Sequence, residues 1–162
     1  MKLNCAGWKQ TSCDDGPGIR SVFFFQGCSR NCPGCQNSCT HSKVSGTFMN
    51  VEDAFNFIKK NCRNKKITIS GGEPLEQKNA LVELLDLLNS DGFNICVYTG
   101  WNLEKVSDDV IGKVNYLKCG HFDVSKMSSN LMYVGSTNQK IYKIADGKLM
   151  EMNLFYEKKI SV

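Results

Sequence analysis

Histidine is scarce in this chain, with two in 162 residues beside only three prolines. So few histidines leave little material for the acid–base chemistry they usually perform. No stretch approaches the ~18 consecutive apolar residues of a membrane-spanning helix, so no membrane partner is expected. No apolar run follows Lys2, which argues against a secretory signal. The net charge is only +4 and the lysines are scattered. The basic, aromatic-interleaved stripe of a nucleic-acid surface is therefore missing, and no nucleic-acid partner is expected. Its nearest candidate, Lys59, Lys60, Arg63, Lys65 and Lys66, reads as a solvated helix end whose cations suit the negative pole of the helix dipole. No repeat of solenoid period is visible. A composition of 41% hydrophobic and 22% charged residues is that of a folded globule, which excludes disorder for anything longer than a loop. The expectation is one domain over 1–162, large enough to bury a real core.

Cysteine is the exception to this scarcity, at nine, a high and odd number. Without a secretory signal, that richness points to a reducing cytoplasm and to metal ligation rather than a disulfide framework.

Periodicity predicts strands alternating with helices. Ser21–Gln26, with Val22 and three phenylalanines, reads as a buried strand, followed by a cysteine-rich loop from Cys28 to about Met49. Val51, Ala54, Phe55, Ile58 and Cys62 recur at helical spacing behind Asn50 as N-cap. Lys66–Ser70 is a second strand and Asn94–Thr99 a third, separated by a helix with Ala80, Leu81, Leu84, Leu85 and Leu88 on one face. A shorter helix is predicted over Leu103–Lys113 and a fourth strand over Asn115–Lys118. Such repeats require parallel pairing with right-handed crossovers, hence an α/β sheet, open or curled into part of a barrel. Gln139–Ala145 and Lys148–Phe155 flank Asp146–Gly147 and read as an appended β-hairpin over 139–155. The unusual residues sit just past the strands' carboxyl ends: Cys28–Cys35, Gly71–Pro74, Thr99–Trp101 and Cys119–Asp123. Loops at that edge of a parallel sheet converge on ligands, so four of them should face one cavity.

Cys28, Cys32 and Cys35 are spaced C-x3-C-x2-C. Thiolates select zinc, copper(I) or iron–sulfur clusters. Three of them can hold a cubane and leave one iron open for a small molecule. Cys39 extends the run to C-x3-C-x2-C-x3-C, so a closed cluster or a zinc site remains an alternative. The first gap departs from the usual ferredoxin run.

The stretch CSRNCPGC resembles the signature of the radical S-adenosylmethionine superfamily. DGPGIR (Asp15–Arg20), SGGEPL (Ser70–Leu75), VYTGW (Val97–Trp101) and YVGSTNQKIY (Tyr133–Tyr142) are similar to the activating proteins of anaerobic ribonucleoside-triphosphate reductases. The resemblance covers about residues 14–144. It implies a partial (β/α) barrel and a 4Fe–4S cluster on Cys28, Cys32 and Cys35, whose fourth iron chelates S-adenosylmethionine. Gly71, Gly72, Glu73 and Pro74 would then receive the methionyl amino group, Gly34, Cys35 and Gln36 would pass beside the adenine, and Thr99 would reach the ribose or carboxylate. Glycines there would let a ligand approach the backbone closely. The implied activity is reductive cleavage of S-adenosylmethionine, with the 5′-deoxyadenosyl radical placing a glycyl radical on the reductase. A flavodoxin or ferredoxin would supply the electron. No side-chain general base is expected, because the cofactors carry the chemistry.

Several residues have plainer readings. Gln36 stands where the family often carries an aromatic residue or histidine. Cys39 and Cys119 are expected on the cavity side, while Cys5, Cys13, Cys62 and Cys96 read as small apolar residues. His41 and His121 read as loop residues. Arg20 is open between a core-edge salt bridge and a docking contact. Read alone, SGGEP would pass for a strand-to-helix turn. The competing functions are another glycyl-radical activase, a small modifying enzyme of the same superfamily, or a non-enzymatic electron carrier or zinc module. The last would leave SGGEPL and the terminal stretch unexplained.

Overall fold

The structure is a computed structural model and describes residues 1–155; the rest of the expected 1–162 domain, 156–162, lies outside the described residues. One mixed sheet runs through it. Its strands are β1 (Lys2–Ser12), β2 (Arg20–Phe25), β3 (Thr47–Asn50), β4 (Lys66–Gly71), β5 (Asn94–Tyr98), β6 (Tyr116–Cys119), β7 (Lys140–Ala145) and β8 (Lys148–Glu151), in the order β3-β1-β2-β4-β5-β6-β7-β8. The central four, β2-β4-β5-β6, pair in parallel. The flanking pairs are antiparallel.

Side-chain alternation divides the sheet into two unlike faces. Phe23 and Phe25, Ile67 and Ile69, Ile95 and Val97, and Leu117 and Cys119 point to one side and form a single core with the helices. Those helices are α1 (Val51–Asn61) and α2 (Lys78–Ser90), whose buried residues are the ones their spacing predicts. α1 carries Glu52 and Asp53 in its first turn and Lys59 and Lys60 in its last, which complements its dipole at both ends. The opposite parity of β4, β5 and β6 is polar or sulfur-bearing, with Thr68, Ser70, Cys96, Tyr98, Tyr116 and Lys118, while β2 adds Arg20, Val22 and Phe24. The carboxyl end of that face, at Ser70, Tyr98 and Lys118, forms the floor of the cavity described below.

Three expectations need correction. β1 and β3 were not predicted: β1 carries Gly7 and two register shifts against β2, which blur its alternation, and β3 is a mostly exposed edge. The predicted helix over Leu103–Lys113 is instead a 3₁₀ turn, Leu103–Lys105, and a four-residue helix α3 (Asp108–Ile111). Val106, Val110 and Val114 still bury their side chains at helical spacing, but Ser107 between them is extended. Arg20 is neither a core-edge salt bridge nor a docking residue. It is buried, and its guanidinium donates to Thr68 Oγ1 (3.0 Å), to the carbonyls of Pro17 and Ile67 (3.0 and 3.2 Å), and to Asn94 O and Oδ1. It therefore ties the Asp15–Gly18 turn to β4 and β5 through neutral acceptors.

β7 and β8 pair around Asp146 and Gly147, both at positive φ, as a two-residue turn of this hand requires.

Candidate functional site

A cavity of about 520 Å³ opens at the carboxyl edge of the parallel strands. All four strand-end loops reach it, with Asp14 and Asp15 at one side and the segment around Met127–Gly135 forming a further wall. Cys28, Cys32 and Cys35 line it together.

The cysteine loop is braced by its backbone. Gly27 N donates to Thr40 O (2.7 Å) and Cys28 N to His41 O (3.0 Å), so the chain leaves and returns side by side. Between them Cys35 N donates to Cys32 O (3.1 Å), and Gly34 turns through φ +72°, a conformation that favours glycine. Glu76 accepts from both the backbone N–H (2.8 Å) and the hydroxyl of Ser29 and pairs with Lys43 Nζ (2.7 Å), which pins the loop at both ends. All nine cysteines are free thiols, and the three in the loop are partly exposed to the cavity. Burial pushes the Cys28 thiol up. Among the described residues no three cysteine, histidine or carboxylate side chains close on one metal-ion position. A cluster, in which each thiolate takes its own iron, fits this donor set.

Cys39 is exposed and does not line the cavity. Cys119, expected on the cavity side, packs into the core on the helix side, because it shares its parity with Leu117. Cys39→Ser should therefore leave the iron content and cluster absorbance of anaerobically reconstituted protein unchanged. Loss of iron in that variant would make Cys39 a fourth ligand.

The Ser70–Leu75 stretch is bonded through its backbone to the start of the cysteine loop. Gly72 N donates to Phe25 O (2.8 Å) and Glu73 N to Gly27 O (2.8 Å), extending the β2–β4 ladder beyond both strands. A Cβ on Gly71 would overlap the backbone of Phe25, and one on Gly72 the carbonyl of Gly27. The glycines thus permit two loops to touch backbone to backbone. The Glu73 carboxylate is buried and fully engaged, accepting from Thr99 Oγ1 (2.7 Å), Gly100 N (2.8 Å) and Leu75 N (3.1 Å). Burial pushes this carboxyl up, and those three bonds and Arg30 oppose the shift. Thr99 donates to Glu73 and accepts from Trp101 N (3.0 Å). Both side chains connect the β4 and β5 loops. Ser70, Gly71, Gly72, Glu73, Thr99, Cys35 and Gln36 line the cavity, whereas Gly34 and Pro74 do not.

Several residues at the cavity were not singled out in the sequence. Lys118 and Tyr98 rise from its floor and Arg30 also reaches it, as does His41, which the sequence reads as a loop residue. Burial pulls the Lys118 ammonium down to about 8, against the opposing influence of Glu73. The polar parity of TIS, CVY and YLK was the available signal, since a strand with helices on one side only should read that way. The terminal motif also gains a role. Gln139 is buried, accepts from Gly135 N (2.8 Å) and Ser136 N (3.2 Å), and donates to Gly120 O (2.9 Å), clasping the wall segment to the end of β6.

Residues 14–142 match the family model described as a 4Fe-4S single cluster domain. The chain is 30% identical over 141 residues to the anaerobic ribonucleoside-triphosphate reductase-activating protein of Escherichia coli (strain K12), covering 80% of this chain and 92% of that one. The chain belongs to the family of these activating proteins. Its cofactors are a 4Fe–4S cluster and S-adenosylmethionine. The Vibrio cholerae protein of the same name is 29% identical over 140 residues, covering 80% of this chain and 90% of its own. The pyruvate formate-lyase-activating enzyme of Clostridium pasteurianum is 37% identical over 93 residues, which span 52% of this chain and 38% of that enzyme. Among solved structures, QueE from Escherichia coli superposes with a TM-score of 0.53 at 18% identity, covering 70% of this chain and 68% of its own, which is a likeness of fold. No helix among the described residues is long and apolar enough to cross a membrane.

Proposed function

We propose that this chain generates a glycyl radical on an anaerobic ribonucleoside-triphosphate reductase, with Cys28, Cys32 and Cys35 as its three cluster ligands. The observation that carries the reading is that the three thiols share one cavity with the Ser70–Glu73 and Thr99–Gly100 loops. When bound, the cofactors supply reductive cleavage of the sulfonium carbon–sulfur bond, giving methionine and a 5′-deoxyadenosyl radical that takes a hydrogen atom from a glycine of the partner.

The chain's own residues bind, orient and shield. The backbone around Gly71 and Gly72 stands at the cavity wall for the methionyl end, and Cys35–Gln36 at the adenine side. Glu73 and Thr99 act through the loops they join, not as direct ligands, since their polar atoms are already bonded to each other and to the backbone. Pro74 and Gly34 shape the turns beside the cavity. We read the chain as one domain of partial-barrel type in which the polar sheet face is the concave wall. A flavodoxin or ferredoxin fits the role of electron donor, and the free thiols fit a cytoplasmic setting.

The relative coverage favours the reductase over pyruvate formate-lyase as partner, because the match to the reductase activators spans nearly their whole length. The test is to mix the reduced protein with the cognate reductase and S-adenosylmethionine without oxygen. A glycyl radical signal by electron paramagnetic resonance is the expected result. No signal on that reductase, with signal on another glycyl-radical enzyme, would reassign the partner.

A further inference from the structure

The polar floor of the cavity holds two groups with nothing to bind. Tyr98 and Lys118 are paired residues on neighbouring parallel strands, and Ser70 lies in the next strand at the same level, one residue past the Ile69–Val97 pair. All three line the cavity. The Lys118 ammonium sits 5.3 Å from the centre of the Tyr98 ring, a cation–π contact that holds the charge over the floor. Its electrostatic neighbours are Glu73, Cys119, Cys35 and Cys32, yet none of them bonds to it among the described residues. Glu73, the strongest of these influences, accepts instead from Thr99, Gly100 and Leu75. The Tyr98 hydroxyl is buried and likewise finds no hydrogen-bond partner among the described residues.

A buried hydroxyl such as that of Tyr98 is costly to leave unpaired, and the Lys118 ammonium beside it, half-buried at the cavity, is open to a ligand. Lysine in particular offers three N–H donors and accepts nothing. The complement must therefore be an oxygen acceptor, preferably one that carries or develops negative charge. We propose that Lys118 and Tyr98 form a subsite for a carboxylate or carbonyl oxygen of a reactant in the cavity, Lys118 supplying the charge and Tyr98 a second hydrogen bond. This rests on the activase reading, in which two reactants bring such an oxygen: the carboxylate of S-adenosylmethionine and the main-chain carbonyl of the partner's glycine. Lys118 is in either case a binding and positioning residue, and no proton or electron passes through it.

The test uses anaerobically reconstituted holoenzyme as wild type, Lys118→Met, Lys118→Arg and Tyr98→Phe. Methionine keeps most of the volume of the lysine stem, and phenylalanine removes a single oxygen. Three quantities are read: iron per chain, the Kd for S-adenosylmethionine, and the glycyl radical formed per 5′-deoxyadenosine released with the reductase present. Iron should be unchanged in every variant. If the cofactor supplies the oxygen, Lys118→Met raises the Kd by about tenfold or more, an amount equal to about 1.4 kcal/mol. If the partner supplies it, the Kd holds and the radical yield per 5′-deoxyadenosine falls by about tenfold. Lys118→Arg should recover most of either loss, and Tyr98→Phe should show a smaller loss in the same quantity. The proposal is overturned if Lys118→Met leaves both quantities within about twofold of wild type, or if the variant loses its iron. Should Lys118→Met not fold, Tyr98→Phe decides by the same limits. A wild-type protein that releases no 5′-deoxyadenosine would overturn the activase reading instead.

Discussion

Replacing any one of Cys28, Cys32 or Cys35 with alanine should empty the cluster site and reduce 5′-deoxyadenosine formation by far more than a hundredfold. The loss of an outer supporting residue typically costs ~10–100-fold in metal affinity or activity. Loss of a direct ligand from a three-thiolate set is more severe, because no fourth thiol among the described residues lines the cavity. Cys39 is exposed away from it and Cys119 is packed in the core. The loop itself should persist in each variant, since its bracing runs through backbone and Glu76 rather than the thiols. Circular dichroism unchanged beside a missing cluster absorbance would be the signature. Retention of the cluster in any one of the three variants would remove that cysteine from the ligand set.

Gly72→Ala carries the second large effect. The new methyl would overlap the carbonyl of Gly27, come within 3.0 Å of Thr40 O, and find no flexible side chain to push aside. Relief requires the β4 loop to part from the start of the cysteine loop. That breaks the bonds from Gly72 N to Phe25 O and from Glu73 N to Gly27 O. Overpacking with lost backbone bonds places the cost at about 3 kcal/mol or more. Denaturant unfolding of the reconstituted protein should show a matching fall in midpoint, with iron lost as well. Gly7→Ala is the control, because a Cβ there meets nothing within 4 Å and its φ is ordinary. A Gly72→Ala protein as stable as the Gly7→Ala protein would contradict the close backbone approach.

Much of the fold could be read from the chain because its central elements are locally determined. Phe23 to Phe25, KITIS and NICVY are compact apolar runs, and the leucines of α2 repeat at helical spacing. β1 was hidden by a glycine and two register shifts, and β3 by exposure: strand pairing, not local pattern, creates both. The Leu103–Lys113 segment misled in the opposite direction. Its valines keep a helical period while the backbone between them does not, so burial and helicity came apart.

The site divides along the same line. Cysteines spaced within eight residues announce themselves, and so do the glycine motif and the Gly135–Gln139 stretch. Their mechanical roles do not, because Glu73 reaches Thr99 across 26 residues and Gln139 reaches Gly120 across 19. The resemblance implies that Glu73 and Thr99 bind the cofactor; in the structure their side chains also fasten two loops that line the cavity. Lys118 is marked only by strand parity: it lines the cavity, while Cys119, one residue further along the same strand, belongs to the core.

The most direct test of the account is product analysis on anaerobically reconstituted protein, reduced in the presence of S-adenosylmethionine. One oxygen-sensitive 4Fe–4S cluster per chain and release of 5′-deoxyadenosine on reduction are the predicted results. Stoichiometric zinc, or an intact cluster that releases no 5′-deoxyadenosine when reduced, would contradict it.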